Sequence, residues 1–379
     1  MPQNRTAIPT LAAGLAALAL AMGLGRFGYT ALLPAMQAEG LSTADAGMIA
    51  AANLFAYMIA SWLVGKTPAP WWRRGFLLCV AASVASTLGM AVEGFGSWLA
   101  WRTVAGAASA GTFVLGVGLM LDGLVASGRA DWGGFAFCGV GLGIAASGLV
   151  ALDGETASHG WIVLGLVALV AAVPALRLGR KGSAAHAAPR PASDGRSSPD
   201  LTQLTVAYVL EGFGYSVAAT FLVAVFARGG GIQVAGWAWV LTGLCAIPGF
   251  FLWRTIAARF NVWRALALAY AVQAIAIALP ALSGSPLVAV ATAVGFGGTF
   301  LAITGLTVAQ ARHLGGIPAI GRITAIYGVG QALGPLLAGW LAEAQGGFGD
   351  ALLLSAACVL GGGVILFSHH IRRPKPCPS

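Results

Sequence analysis

Three charged side chains stand well inside long apolar runs of this 379-residue chain: Arg26, Arg102 and Glu211. A charge facing lipid at the bilayer centre costs about 2.5 to 3.5 kcal/mol or more, so each must face protein or a wet cavity. A carboxyl such as Glu211 can take up and release a proton as its surroundings change, and a guanidinium such as Arg26 can grip a carboxylate through forked hydrogen bonds. A structural ion pair is the alternative for both, and snorkelling the alternative for Arg102, which lies about one turn into its run. Residues three, four or seven apart share a helix face. On that spacing Tyr208, Glu211 and Tyr215 form one stripe, Arg26 and Tyr29 a second, Asn53 and Tyr57 a third, and Thr324, Tyr327 and Gln331 a fourth. Four polar and aromatic faces in an apolar chain predict a solute path built from Arg26, Tyr29, Asn53, Tyr57, Tyr208, Tyr215, Tyr327 and Gln331, with Glu211 as the proton-coupling residue. Packing is the competing account of each tyrosine.

Other chemistry has no foothold. His159, His186, His313, His369 and His370 fall in loops or the tail, and no HExxH, GxSxG or Walker A motif is present. No His, Cys or Asp cluster has metal-ligand spacing. The sequence therefore predicts no enzyme, no cofactor and no metal, and it lacks the ATP-binding domain of a primary pump. Of the five cysteines, Cys79, Cys138, Cys245 and Cys358 lie in apolar runs and Cys377 in the tail, so they read as packing residues rather than a disulfide framework.

The elements that must position these side chains follow from composition. Hydrophobic residues make up 58% of the chain and charged residues 9%, with mean hydropathy +0.84; a soluble domain carries about 25% charged residues. With 21 basic and 12 acidic residues the chain cannot coat a water-facing surface. The 55 glycines, without collagen period, suit closely packed transmembrane helices. A hydrocarbon core about 30 Å thick needs about 20 apolar residues per helix. Such runs fall at 9–36, 43–65, 75–93, 97–121, 133–152, 157–178, 201–227, 233–253, 262–281, 286–308, 318–342 and 349–368, which predicts an all-α integral membrane protein of about twelve spans. Ser42 and Ser97 read as helix caps for the second and fourth spans. The run after Arg5 continues to Pro34 without a cleavage point, against a signal peptide.

Cation placement sets the predicted topology. With the N-terminus inside, roughly 18 of the 21 Lys and Arg residues fall in inner segments, leaving Arg228 outside and Arg26 and Arg102 within spans. Both termini are then cytoplasmic, and the net charge of +9 reflects topology rather than nucleic-acid binding. Residues 179–200, rich in Ser, Pro, Ala and Arg, read as a cytoplasmic linker between a first bundle at 1–178 and a second at 201–379. Arg26-Phe27-Gly28-Tyr29 and Gly212-Phe213-Gly214-Tyr215 align at the start of the two halves, as a duplication would. Gly139 and Gly143, and Gly330 and Gly334, form GxxxG pairs that serve either close packing or sliding, and Pro34, Pro248 and Pro335 are candidate kinks.

This pattern resembles the major facilitator superfamily. Gly25-Arg26-Phe27-Gly28-Tyr29, Leu33-Pro34-Ala35-Met36, Gly212-Phe213-Gly214-Tyr215 with Thr220-Phe221-Leu222, and Tyr327-Gly328-Val329-Gly330-Gln331 through Pro335 are similar to the bacterial YbfB/YjiJ-type branch. The resemblance implies two six-helix bundles related by a pseudo-twofold axis, and alternating access around a central site. Arg102 with Gly106 looks like the fourth-helix motif associated with proton coupling. The fifth-helix glycine motif lacks its proline, and the loop after the second span has Gly65, Arg73, Arg74 and Gly75 but not the usual aspartate. The expectation is a proton-coupled secondary transporter of a small anionic or zwitterionic solute, monomeric, with protons, the solute and membrane lipid as its partners, in a bacterial inner membrane. An exporter of lipophilic cations is the first rival; a membrane sensor or enzyme is the second.

Overall fold

The computed structural model describes residues 3–154, 156–181 and 199–372, so the predicted linker lies, apart from its ends, outside the described residues. Every regular element among the described residues is helical, as a chain in hydrocarbon requires, because a helix satisfies its own backbone polar groups. We number the membrane-length helices α1 (Thr6–Ala38), α2 (Thr43–Val64), α3 (Trp72–Gly89), α4 (Phe95–Ala126), α5 (Ala130–Ala151) and α6 (Ala157–Lys181) in the first half. The second half holds α7 (199–230), α8 (232–259), α9 (Val262–Leu282), α10 (Pro286–Gly316), α11 (Ala319–Gln345) and α12 (Gly349–Arg372). Helices α7 and α8 run into each other without a loop and separate at Gly231, whose φ of 80° suits glycine alone; α10 and α11 part likewise at Gly315 and Gly316.

Local chemistry explains most helix ends. Ser42 caps α2 by accepting the Asp45 N–H at 3.0 Å, as its position before the apolar run predicts. Ser97 does not cap: α4 already begins at Phe95, after Gly94 with φ 106°. The backbone leaves helical geometry at glycines, not at Pro248 or Pro335. The sharpest irregularity is in α1, where a π-helical stretch (Ala19–Leu24) and a turn at residues 25–27 precede the helix Gly28–Ala38.

The two glycine pairs are close-packing surfaces. A Cβ on Gly139 or Gly143 of α5 would meet the carbonyl of Leu15 or Ala19 of α1 at 2.1 and 2.7 Å. A Cβ on Gly330 or Gly334 of α11 would meet the carbonyl of Val209 or Phe213 of α7 at 2.4 Å. The fifth helix of each half thus lies backbone to backbone on the first.

The halves meet unevenly. At one end the Ala44 N–H donates to Glu343 at 2.7 Å, the Arg228 guanidinium donates to Thr43 at 3.3 Å, and Gly47 and Gly339 bring α2 and α11 into backbone contact. That contact continues along the two helices to Gly328, where a Cβ would meet Met58 at 3.0 Å, and at the far end α5 and α8 meet through Phe135 and Phe251, with ring centroids 5.1 Å apart, and Phe137 and Phe250, 5.4 Å apart. All buried residues of α2 lie between Thr43 and Leu54, none in 55–64, and on α11 Thr324, Ala325 and Ile326 are exposed. The cleft between the halves, in which Arg26 sits, is closed beside Thr43 and Glu343.

Candidate functional site

Arg26 sits at the break in α1. The opened turn needs donors for its carbonyls, and Arg102 of α4 supplies them: Nη1 donates to Gly25 O at 2.6 Å and Nη2 to Arg26 O at 3.2 Å. The Arg102 guanidinium also lies over the Tyr29 ring, 4.9 Å from its centroid. Asn53 of α2 donates to Arg102 O at 2.8 Å, and the Tyr29 hydroxyl donates to Ala46 O at 2.9 Å. The predicted side chains of Arg102, Asn53 and Tyr29 therefore tie α1, α2 and α4 together around one point.

The break turns Arg26 into a cavity between the halves. Arg26, Phe27, Tyr29, Thr30, Asn53 and Arg102 line it from the first half, Ser216, Ala219 and Thr220 of α7 from the second. Its volume is about 20 Å³, room for about one water. Thr30 donates to Ala219 O across the interface. The Arg26 guanidinium forms no ion pair among the described residues; its neighbours are the rings of Phe27 and Tyr57, with centroids at 5.6 and 5.5 Å. The cation is thus buried beside hydroxyls and an amide that line the same cavity, with no anionic partner among the described residues.

Aromatic rings form the far wall. Phe27 meets Trp239 and Phe300 edge to face at 6.1 and 6.0 Å, and Tyr215 stacks on Phe296 and Phe300 at 5.8 and 5.7 Å. Trp239 in turn donates to Ser147 of α5 at 3.2 Å. Tyr215 is thus a wall residue rather than part of the cavity lining.

Glu211 is elsewhere. It is wholly buried in the second half, and no ion pair joins it to Arg26. Gln273 of α9 and Tyr327 of α11 come within hydrogen-bonding reach of its carboxyl, without ideal hydrogen-bond geometry. Tyr327 stacks face to face on Tyr208, with centroids 3.8 Å apart. Gln331 is buried on α11 and does not line the cavity. The predicted residues thus separate into an interface group (Arg26, Tyr29, Asn53, Arg102, with Tyr57 beside it) and an interior group (Glu211, Tyr208, Tyr327).

Sequence reasoning missed Thr30, Ser216 and Thr220 in the lining and Gln273 beside Glu211. Hydroxyls are common in membrane helices and give no signal singly. Gln273 did carry one: it is a lone amide within an apolar run, three residues after Tyr270.

The family model described as "Uncharacterised MFS-type transporter YbfB" matches residues 18–367. The chain belongs to this family of major facilitator transporters. This YbfB-type chain is accordingly a multi-pass membrane transporter, not an enzyme. No curated protein matches it. Among solved structures it is similar to the nucleoside transporter NupG, at 14% identity over 96% of this chain and 100% of that one, with a TM-score of 0.71. A single-residue variant of NupG gives 0.72 at 12% identity over 95% and 99%. A bacterial homolog of the human lysosomal transporter Spinster, in an inward-facing and occupied conformation, gives 0.70 at 15% identity over 96% and 98%. These likenesses establish the major facilitator fold for this YbfB-type transporter.

Proposed function

We propose that this protein is a proton-driven secondary transporter that binds a small solute bearing a carboxylate, anionic or zwitterionic, at Arg26 in the cavity between its halves. The observation that carries this reading is the buried Arg26 guanidinium without an anionic partner, among Thr30, Asn53, Ser216 and Thr220. A solute carboxylate would supply the missing anion. Glu211 is the coupling group: a carboxyl buried among neutral partners can carry a proton, and access to water from the cleft would let it discharge. Bundles at 1–178 and 201–379, joined by the 179–200 linker, rock about the site in this account. By the cation asymmetry the linker and both termini are on the cytoplasmic side of a bacterial inner membrane. The protein works as a monomer, with membrane lipid around it.

The aromatic wall of Phe27, Trp239, Phe296 and Phe300 favours a second reading, an exporter of lipophilic cations in which Arg26 only neutralises other charge. One experiment separates the two. Ligands found by thermal-shift screening are tested for uptake into proteoliposomes under an imposed pH gradient, with wild type and Arg26→Gln. On the favoured reading carboxylate solutes are accumulated by wild type and their binding is lost in the variant. If the best ligand is cationic and binds Arg26→Gln as tightly as wild type, the exporter reading replaces it.

A further inference from the structure

Around Glu211 lies a set of polar atoms that the interface cavity does not include. Glu211 on α7, Gln273 and Tyr270 on α9 and Thr307 on α10 are each wholly buried. Gln273 and Tyr327 come within hydrogen-bonding reach of the carboxyl, and Thr307 within reach of the Tyr270 hydroxyl, without ideal hydrogen-bond geometry. The titratable groups facing the carboxyl are tyrosines: Tyr208 and Tyr215 from α7, Tyr270 from α9 and Tyr327 from α11. Helix α10 brings Thr307 to Tyr270 and Thr304 to Tyr208. No formal positive charge comes from any of these. An ionised carboxyl here would lack a counter-charge, so the occupant that balances the chamber is a small cation.

We propose that Glu211 holds its transported proton in a chamber sealed inside the second half, with Gln273 as the positioning residue, Tyr270 and Thr307 as its other polar walls, and the stacked Tyr208–Tyr327 pair as the partition toward the cleft. The inference rests on the reading that Glu211 couples transport. A protonated carboxyl and a primary amide match at two points: the acid O–H donates to the amide oxygen while the amide N–H donates to the acid carbonyl. Gln273 so placed orients the carboxyl and the proton it carries. Tyr327 completes the separation, since its ring lies against Tyr208 and against the position a Cβ on Gly212 would take, 2.7 Å away. Proton and solute then occupy different sites, and Arg26 has no direct hold on the proton.

The test is infrared difference spectroscopy on the full-length protein in liposomes, following the carbonyl band of the protonated carboxyl against pH, the band being assigned by its loss in Glu211→Gln. Gln273→Glu keeps the shape and adds a second carboxyl, so the pair should bind one proton at least about tenfold more tightly than wild type. Arg26→Gln should change proton affinity by less than about threefold. Tyr270→Phe, which removes a single hydroxyl, should shift the midpoint measurably and serves if Gln273→Glu does not fold. A Glu211 band that titrates yet ignores Gln273→Glu and Tyr270→Phe, or responds to Arg26→Gln as strongly, overturns the chamber while leaving the coupling reading intact. Absence of any titrating Glu211 band overturns both. Loss of the band when sodium chloride replaces choline chloride at fixed pH would make the occupant a metal cation, which also overturns the proposal.

Discussion

Helices α1 and α7 begin the two halves with nearly the same residues, Gly25-Arg26-Phe27-Gly28-Tyr29 and Glu211-Gly212-Phe213-Gly214-Tyr215, and each receives a glycine pair from the fifth helix of its own half. Their backbones differ. Helix α1 is π-helical and then broken just at this segment, whereas α7 stays helical through it up to Gly231. The partner helices account for the difference. Helix α4 carries Arg102, whose guanidinium takes the carbonyls of Gly25 and Arg26, while α10 has no charged residue before Arg312. One side chain on a neighbouring helix thus separates the copies: the broken helix turns its charge into the space between the halves, and the continuous one keeps its charge in the interior. The two charges stand one place apart in the aligned segments, Arg26 opposite Gly212 and Glu211 opposite Gly25, and the break gives them different surroundings.

The comparison can be broken most decisively at Glu211. If the interior copy couples and the interface copy binds, Glu211→Gln should reduce pH-gradient-driven accumulation in proteoliposomes to background while solute exchange continues. Accumulation at the wild-type level would make Glu211 structural. The next largest effect concerns the break itself. Arg102→Met leaves two buried carbonyls without donors, at about 1 to 3 kcal/mol each, so denaturation of the purified protein should show a loss of about 2 to 6 kcal/mol. Stability within about 0.5 kcal/mol of wild type would mean that α1 is broken without Arg102.

A symmetric outcome is expected from the glycines. Gly143→Ala and Gly334→Ala each press a methyl against a backbone carbonyl, of Ala19 and of Phe213, and each should destabilise by about 1 to 3 kcal/mol. A loss confined to one of the two would show that the halves are packed by different rules. The smallest effect belongs to the closed end, where Glu343→Gln weakens an exposed charge-assisted bond to the Ala44 N–H. A loss of about 1 kcal/mol there corresponds to about fivefold faster thiol labelling of a cysteine placed at Thr43. Unchanged labelling would remove Glu343 from the closure.

Much of this architecture is legible in the residues because a bilayer imposes one-dimensional constraints. Each crossing needs about 20 apolar residues, so the start of α2 after Ser42, the close approach at Gly330 and Gly334 and the division of Pro199–Arg259 into two crossings all follow from local composition. Arg26 and Glu211 were visible as costly charges for the same reason. Their separation was not visible. Helical spacing says which residues share a face but not how that face is rotated against five neighbours, so a stripe holding Tyr208, Glu211 and Tyr215 gave no sign that Glu211 meets Gln273 while Tyr215 meets Phe296 and Phe300. The break in α1 was equally hidden. Its sequence carries glycines that permit a break, as the α7 copy also does, but the donors that stabilise it arrive from Arg102, 76 residues further along the chain. By itself the sequence determined the approximate number and length of the crossings, because those depend on transfer energies summed along one helix. Only the tertiary structure decided which charge faces the cavity and which the interior, because that depends on where other helices place their hydrogen-bond donors.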